Sequence, residues 1–287
     1  MIKMIVCGAC GRMGKRIIAC AVEGGEIAVA GAIERKDHPS LGRDAGEVAG
    51  VARLGVPVTA DLAAAAAEGD VIVDFSHHEA SAQNAATARA LKKPVVIGTT
   101  GLSGREMQAI ANASRTVACL VAPNMSVGVN LLFRIAADVA RSLGEEYDVE
   151  IVEVHHRFKK DAPSGTAKRL AAAVADARGK DLSALACHGR SGETGERPKG
   201  QIGIHAVRQG DVVGEHTVSF ASLGERVELV HRAHSRDTFA RGALRAARWL
   251  VGKPPGLYDM GDVLKEIPNP KSQIPKGRSQ GPRPKEK

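Results

Sequence analysis

Aromatic side chains are scarce in this 287-residue chain: one Trp, two Tyr and five Phe, 3% in all. The chain is nonetheless 44% hydrophobic, so its core has to be built largely from Ala, Val, Leu and Ile. Long apolar runs are missing as well. The apolar stretches are short and interrupted, and none approaches the ~20 residues that a membrane-spanning helix needs. The opening "MIKMIVCGACGRMG" turns glycine-rich before an apolar leader of normal length develops. A cytoplasmic protein without membrane association is expected.

Cysteine is sparse and irregular. Five residues (Cys7, Cys10, Cys20, Cys119 and Cys187) are an odd number without framework spacing, which argues against a secreted disulfide scaffold. "CGAC" is formally a C-x-x-C, but no second such pair exists, and a structural zinc site needs further ligands at matching spacing. No metal is expected. The pair reads either as a redox dithiol or as two small residues in a glycine loop. The net charge of +8 raises nucleic acid as a partner, but its distribution argues otherwise. Residues 268–287, "PNPKSQIPKGRSQGPRPKEK", carry six Lys/Arg against one Glu, so five of the eight net charges lie there. That segment is proline-rich with a single Ile, too apolar-poor to order itself, and is expected to be a disordered basic tail. No nucleic-acid partner is expected.

The first 125 residues alternate strand and helix patterns. "MIKMIVCG", "EIAVAGAIE", "DVIVDFS", "KPVVIGTTG" and "TVACLVAPN" read as strands. "RMGKRIIACAVE", "DLAAAAAEG", "EASAQNAATARALK" and "SGREMQAIANAS" read as helices, the last capped by Ser103. Such alternation predicts an α/β fold: a Rossmann-type, doubly wound parallel sheet whose apolar strands are buried on both faces. The rhythm then changes. "SVGVNLLFRIAADVARSLG" predicts one long helix, "YDVEIVEVHH" a strand, and "SGTAKRLAAAVADA" a helix. Three strand-like runs follow, "GQIGIHAVRQG", "GEHTVSFASLG" and "ERVELVHRAH", then the helical "RDTFARGALRAARWLVG". Late strands point to a second domain of α+β type built on an open mixed sheet. "GLYDMGDVL" reads as a short cap that rejoins the first domain.

Gly8, Gly11 and Gly14 form G-x-x-G-x-x-G between the first strand and first helix, with Cys10 where a middle Gly is common. Backbone N–H groups at such a helix start, helped by the helix dipole, hold a pyrophosphate. The turn Gly8, Ala9, Cys10, Gly11, Arg12 and Met13 is the expected cradle. Glu34 closes the second strand, twenty residues after Gly14, where an acid bonds the ribose hydroxyls of NAD. Arg35, next to it, is placed to receive the 2′-phosphate of NADP, so both NADH and NADPH stay open. Gly98, Thr99 and Thr100, and Ala122, Pro123, Asn124 and Met125, end the two later strands. Ligands of such sheets sit beyond the strands' carboxyl ends, so both turns are expected beside the nicotinamide ribose.

"GRMG", "VIGTTG", "APNMSVGVN", "EVHHRFKKDAPSGTA", "GEHTVSF" and "FARGALRAARWL" follow in this order. Over residues 1 to about 265 the chain resembles the 4-hydroxy-tetrahydrodipicolinate reductases, also called dihydrodipicolinate reductases, of lysine and diaminopimelate synthesis. The resemblance implies a nucleotide domain over 1–126, a substrate-binding and oligomerisation domain over 127–235, and a return to the first domain over 236–267. It implies NAD(P)H as hydride donor, a small dicarboxylate substrate and a homotetramer. By position, His155 resembles the catalytic proton donor or acceptor, and Lys159 a second catalytic residue that donates a proton. His156, Gly165 and Thr166 resemble contacts to substrate carboxylates, and Arg236 a further one. Cys10 departs from the glycine that many members carry.

Elementary chemistry suits these roles. Lys159, His156 and the N–H groups of Gly165 and Thr166 are complementary to two carboxylates, and Ser164 is placed to cap that helix. Reducing a C=C bond conjugated to an imine puts hydride on one carbon and a proton on its neighbour, and histidine titrates in the range that suits the proton. If the strand ran through both histidines, His155 and His156 would face opposite sides. A zinc site would find only Glu153 as a third ligand at strand spacing. Two other readings keep the glycine loop: a two-domain dehydrogenase acting on an amino acid, and a dinucleotide sensor that needs neither His155 nor Lys159.

Overall fold

The computed structural model describes residues 1–265; the basic tail of 268–287 and the last two residues of the expected return segment lie outside them. In chain order the first part runs β1 (Ile2–Cys7), α1 (Arg12–Gly24), β2 (Ile27–Ile33), α2 (Ala45–Ala49), β3 (Val58–Thr59) and α3 (Leu62–Ala66). It continues with β4 (Val71–Asp74), α4 (His78–Ala90), β5 (Val95–Ile97), α5 (Gly104–Ser114) and β6 (Ala118–Val121). Then come α6 (Val127–Leu143), β7 (Asp148–His155), α7 (Gly165–Ala177), α8 (Leu182–Leu185) and β8 (Ala186–Cys187). The chain proceeds through β9 (Ile202–Arg208), β10 (Gly214–Ser222), β11 (Glu225–Ala233), α9 (Asp237–Leu250), β12 (Gly256–Tyr258) and α10 (Met260–Lys265).

The larger sheet has the order β12-β6-β5-β4-β1-β2-β3, and all its strand pairs are parallel. Strand order reverses between β1 and β4, which opens a crevice at their carboxyl ends, where such sheets bind ligands. Alternation within β1 shows why the sheet needs helices on both sides. Met4 and Val6 join one core with Ile17, Ile18 and Leu250, while Ile5 and Cys7 join another with Ile72, Ile97 and Ile110. Side chains of period two are buried on both faces. Ala240, Ala243, Ala246 and Ala247 of α9 are fully buried in the first core. An alanine face lets this helix lie close on the sheet, as a core poor in aromatics requires.

The smaller sheet, β11-β10-β7-β9-β8, is mixed: β7 pairs antiparallel with β10 and parallel with β9. Val149, Ile151, Val218 and Phe220 point to one face and are covered by Leu132 and Ala136 of α6 and by Leu170 and Val174 of α7. The opposite face carries an ion-pair network of Glu150, Arg190, Arg197 and His205 at one end, and beside it Val152, Val207 and Val230 are 37%, 38% and 44% exposed among the described residues. Val152 lies opposite Thr217, and Thr217 opposite Val230, so the valines form part of one patch. After α9 the chain returns, and β12 pairs with β6. The "GLYDMGDVL" segment thus contributes a seventh strand as well as α10, where the sequence suggests only a cap.

Candidate active site

The glycine turn is shaped by close approach. Gly8 has φ +75°, and a Cβ there would run into the backbone of Phe75. A Cβ at Gly14 would strike the Gly8 carbonyl and Ala9, so only glycine lets α1 pack this near β1. The N–H groups of Gly8 and Ala9 donate to the Ile33 carbonyl at 2.9 and 3.1 Å, pinning the turn to the end of β2. Gly11 is the N-cap of α1 and brings no side-chain cap. Among the described residues the helix therefore begins with N–H groups that no side chain caps, the arrangement a pyrophosphate fits. Glu34 accepts the Cys10 N–H at 3.0 Å and its neighbour's N–H at 3.2 Å. It is tied to the same turn that would hold the dinucleotide. Arg35 lies outermost, paired with Asp37 at 3.4 Å and largely exposed.

Two clefts run along the strand ends. One, of ≈ 1000 Å³, is lined by Gly8, Gly11, Glu34 and Arg35. The second, of ≈ 430 Å³, is lined by Arg12, Met13, Gly98, Thr99, Thr100, Pro123, Asn124 and Met125. Phe75 and Ser76 line both. Of the expected cofactor positions, Ala9, Cys10 and Ala122 line neither. Ala9 and Ala122 are buried, and Cys10 faces Glu34, with burial and that carboxylate raising its thiol pKa. Thr99 is also turned inward, accepting from the Ser81 hydroxyl at 2.8 Å. Phe75 and Ser76 escape the sequence reading although they directly follow β4, the strand beside β1; the signal available was their place at the switch point. Gly98 is also a packing requirement, since its missing side chain leaves room for the Phe75 ring. Among the described residues, Cys10, Glu34 and His38 bring three ligand-type atoms within 4.8 Å of one another.

The histidine block lies at the end of β7, which stops at His155, so His156 belongs to the loop and not to the strand's other face. His155 is 9% exposed, and Glu153, two residues earlier on the same strand face, is fully buried. The His155 Nδ1 makes a short contact with the Glu153 carboxylate. Burial pushes the His155 pKa below its ordinary value, with Glu153 partly opposing. Arg208, at the end of β9, donates to both Glu153 oxygens at 2.8 Å, and the Ser164 N–H donates to one at 2.9 Å. Burial works against the ionised carboxyl, but these donors outweigh it and hold the Glu153 pKa low. Ser164 caps α7 by accepting from the Ala167 N–H, and its hydroxyl meets His216 Nε2 at 3.2 Å. His216 stands edge-on to His155, centroids 5.2 Å apart, and burial pushes its pKa down to about 3.

Lys159 lies in the loop between β7 and α7, its ammonium 2.9 Å from Asp161. Gly165 and Thr166 form the first turn of α7. The Asn124 amide donates to the Thr166 hydroxyl at 3.1 Å, which joins the β6 end of the second cleft to the start of α7. The expected substrate contacts therefore border the expected nicotinamide end. His156 is half-buried with its Nδ1 unpartnered among the described residues, while Arg236 is exposed at the start of α9. Glu153, Arg208 and His216 are the members of this cluster that sequence reasoning did not assign.

A doubly wound sheet with this glycine turn and acid, joined to a mixed-sheet domain carrying a basic helix-start site, defines a two-domain dinucleotide-binding oxidoreductase. The comparisons narrow the class. Residues 2–125 match the family model "Dihydrodipicolinate reductase, N-terminus" and residues 128–264 match "Dihydrodipicolinate reductase, C-terminus". The chain belongs to the dihydrodipicolinate reductase family. A 4-hydroxy-tetrahydrodipicolinate reductase of Syntrophus aciditrophicus is 54% identical over 264 residues, covering 92% of this chain and 98% of the relative. One from Trichlorobacter lovleyi is 52% identical, covering 92% and 99%. The dipicolinate-bound dihydrodipicolinate reductase of Paenisporosarcina sp. TG-14 superposes with a TM-score of 0.73 at 25% identity, covering 90% of this chain and 97% of that one. An amine dehydrogenase of Mycobacterium smegmatis, 12% identical with a TM-score of 0.58 over 91% of this chain and 95% of its own, shares the fold.

Proposed function

We propose that this chain reduces 4-hydroxy-tetrahydrodipicolinate, by way of dihydrodipicolinate, to tetrahydrodipicolinate, a step of lysine and diaminopimelate synthesis, using either NADH or NADPH. The observation that carries this reading is the junction at Asn124 and Thr166. It sets the basic loop and helix start of the second domain against the nucleotide crevice of the first. When bound, the reduced nicotinamide supplies hydride. The protein's part is to hold the dinucleotide, hold the dicarboxylate and manage one proton.

The turn from Gly8 to Met13 receives the pyrophosphate, and Glu34 the adenosine ribose. Arg35 would exchange its exposed partner Asp37 for a 2′-phosphate. The N–H groups of Gly165 and Thr166, with His156 and the Lys159 ammonium, hold the substrate carboxylates. The proton step falls to His155, seconded by Lys159. A ring whose pKa burial has lowered gives up a proton readily once it has received one. A positioned group of this kind contributes about 10²–10⁴-fold in rate. The chain acts in the cytoplasm as a homotetramer. The face of the smaller sheet on which Val152, Val207 and Val230 are exposed is the surface that supports assembly.

A coupled assay tests this reading. Substrate is generated in place from pyruvate and aspartate semialdehyde, and loss of each reduced nucleotide is followed. Both should be oxidised at rates within about tenfold of each other, because Glu34 and Arg35 serve different riboses. Arg35→Ala should weaken NADPH use more than NADH use; an equal loss would remove Arg35 from the cofactor site. No substrate-dependent oxidation of either nucleotide would refute the function.

A further inference from the structure

We propose that Glu153 is a positioning residue that fixes the tautomer and orientation of His155, and that Arg208 is the counter-ion that keeps it in that task. The inference rests on the proposed role of His155 in proton transfer and adds a residue to which no role is yet assigned.

Four donors converge on the two oxygens of the buried Glu153 carboxylate. Arg208 supplies one N–H to each oxygen at 2.8 Å. The Ser164 N–H, at 2.9 Å, fills the remaining place on Oε1, and His155 Nδ1 that on Oε2. An ionised carboxylate only accepts, so Nδ1 must carry its proton and the lone pair of the neutral ring must sit on Nε2. Arg208 decides that the carboxylate is ionised. A buried acid facing a histidine alone could be neutral, but a two-pronged guanidinium on the same group holds it charged.

The same arginine extends the brace. Its NH2 also donates to the Asp161 carbonyl at 2.7 Å, steadying the loop that carries Lys159. The Ser164 N–H belongs to the N-cap of α7, whose next residues are Gly165 and Thr166. One carboxylate therefore links the proton-transfer ring, the lysine loop and the anion-binding helix start. These lie on β7, the loop after it and α7, which the sheet register alone does not lock together.

The substitution Glu153→Gln separates this role from simple filling of space. An amide has one acceptor and one donor end. Arg208 faces both ends, so the choice lies between presenting NH₂ to a backbone N–H, which cannot change, and to His155, which can. The ring should respond by moving its proton to Nε2. Nitrogen-15 spectra of the histidines read this directly, without substrate, the His155 signals being those absent from His155→Gln. The native protein should show a protonated Nδ1 and a bare Nε2, and E153Q should lose that pattern. In steady state E153Q should lower kcat at least roughly 10-fold, less than the 10²–10⁴-fold that a proton-transferring group itself supplies, with the KM for the nucleotide unchanged. In a His155→Gln background it should cost less than about 2-fold, since a group acting through His155 has nothing left to act on.

If E153Q fails to fold around an uncompensated Arg208, the paired variant Glu153→Gln with Arg208→Gln removes both charges and should show the same tautomer change. An unchanged Nδ1–H tautomer, or an equal kcat loss with and without His155, overturns the proposal while leaving the function in place. A His155→Gln enzyme with native kcat would remove the role of His155 and this inference with it.

Discussion

His155 and Lys159 stand out in the sequence because their block is so specific, yet the residue that controls His155 did not. Glu153 drew notice only as a possible third zinc ligand. Its place two residues before His155 was the available clue, because alternate residues of a strand share a face. Arg208 left no clue, since its pairing with Glu153 spans 55 residues and depends on β9 lying beside β7. Residue roles predict separable kinetics. An interaction equal in ground and transition states moves KM, and one made only in the transition state moves kcat. His155→Gln should lower kcat by roughly 10²-fold with little change in KM, whereas Thr166→Val should mainly raise KM for the substrate. Rapid steady-state kinetics on both variants checks this, and native kcat in His155→Gln would contradict it. His216 predicts a pH effect on stability. Its folded pKa of about 3 lies below the value of 6.5 for a free histidine, so between those values the unfolded chain binds the extra proton. Stability from this residue is complete above the unfolded pKa and falls as pH drops below it, by roughly 1.4 kcal/mol per unit. Urea midpoints from pH 6.5 to 5 should show that slope, and His216→Asn should flatten it; a variant with the native slope would assign the loss elsewhere.

Elements were legible where their local pattern was strong. β1, β4, β5 and β6 are runs of apolar residues between turn signals, and α6 and α9 carry helical periodicity, so each is recognisable from local pattern. The expected cap at Ser103 is present as a full capping box with Glu106. β3 and β8 are two residues long, too short to show a pattern, and β12, although as long as β5, is Gly-Leu-Tyr without β5's unbroken apolar run; each pairs with the edge of a longer neighbour. α2 is a five-residue helix without periodicity; its support is Asp44, which caps it and also accepts from the N–H groups of Leu54, Gly55 and Val56. The element most exposed to a single change is α7. Ser164→Ala removes the bond to the Ala167 N–H and should cost about 0.5–2 kcal/mol. It should also raise the substrate KM, because the helix start is the proposed anion site. Thermal unfolding and kinetics on one preparation test both; a destabilised variant with native KM would place the carboxylate elsewhere.

At the scale of the molecule, the paucity of aromatics is answered by small residues: alanine faces in α9 and α7 bring helices close to the sheets, and Phe220 is the largest fully buried side chain. The domain rhythm of the sequence anticipated a parallel sheet followed by a mixed one. It did not reveal that Val152 and Val230 are exposed on one face of the second sheet among the described residues, because that depends on which distant elements pack there. That face predicts a mass change. Val152→Lys combined with Val230→Lys should break the proposed tetramer into smaller species by light scattering, with the fold retained by circular dichroism; an unchanged mass would move the interface elsewhere. The central claim is that hydride from a nicotinamide and a proton managed by the protein reach adjacent carbons of one ring. Turnover in light water with NADH deuterated on its transferred face at nicotinamide C4 should place one deuterium on a ring carbon of the product. Unlabelled NADH in heavy water should place deuterium on its neighbour. Loss of the nicotinamide label to solvent, or both labels on one carbon, would contradict the account.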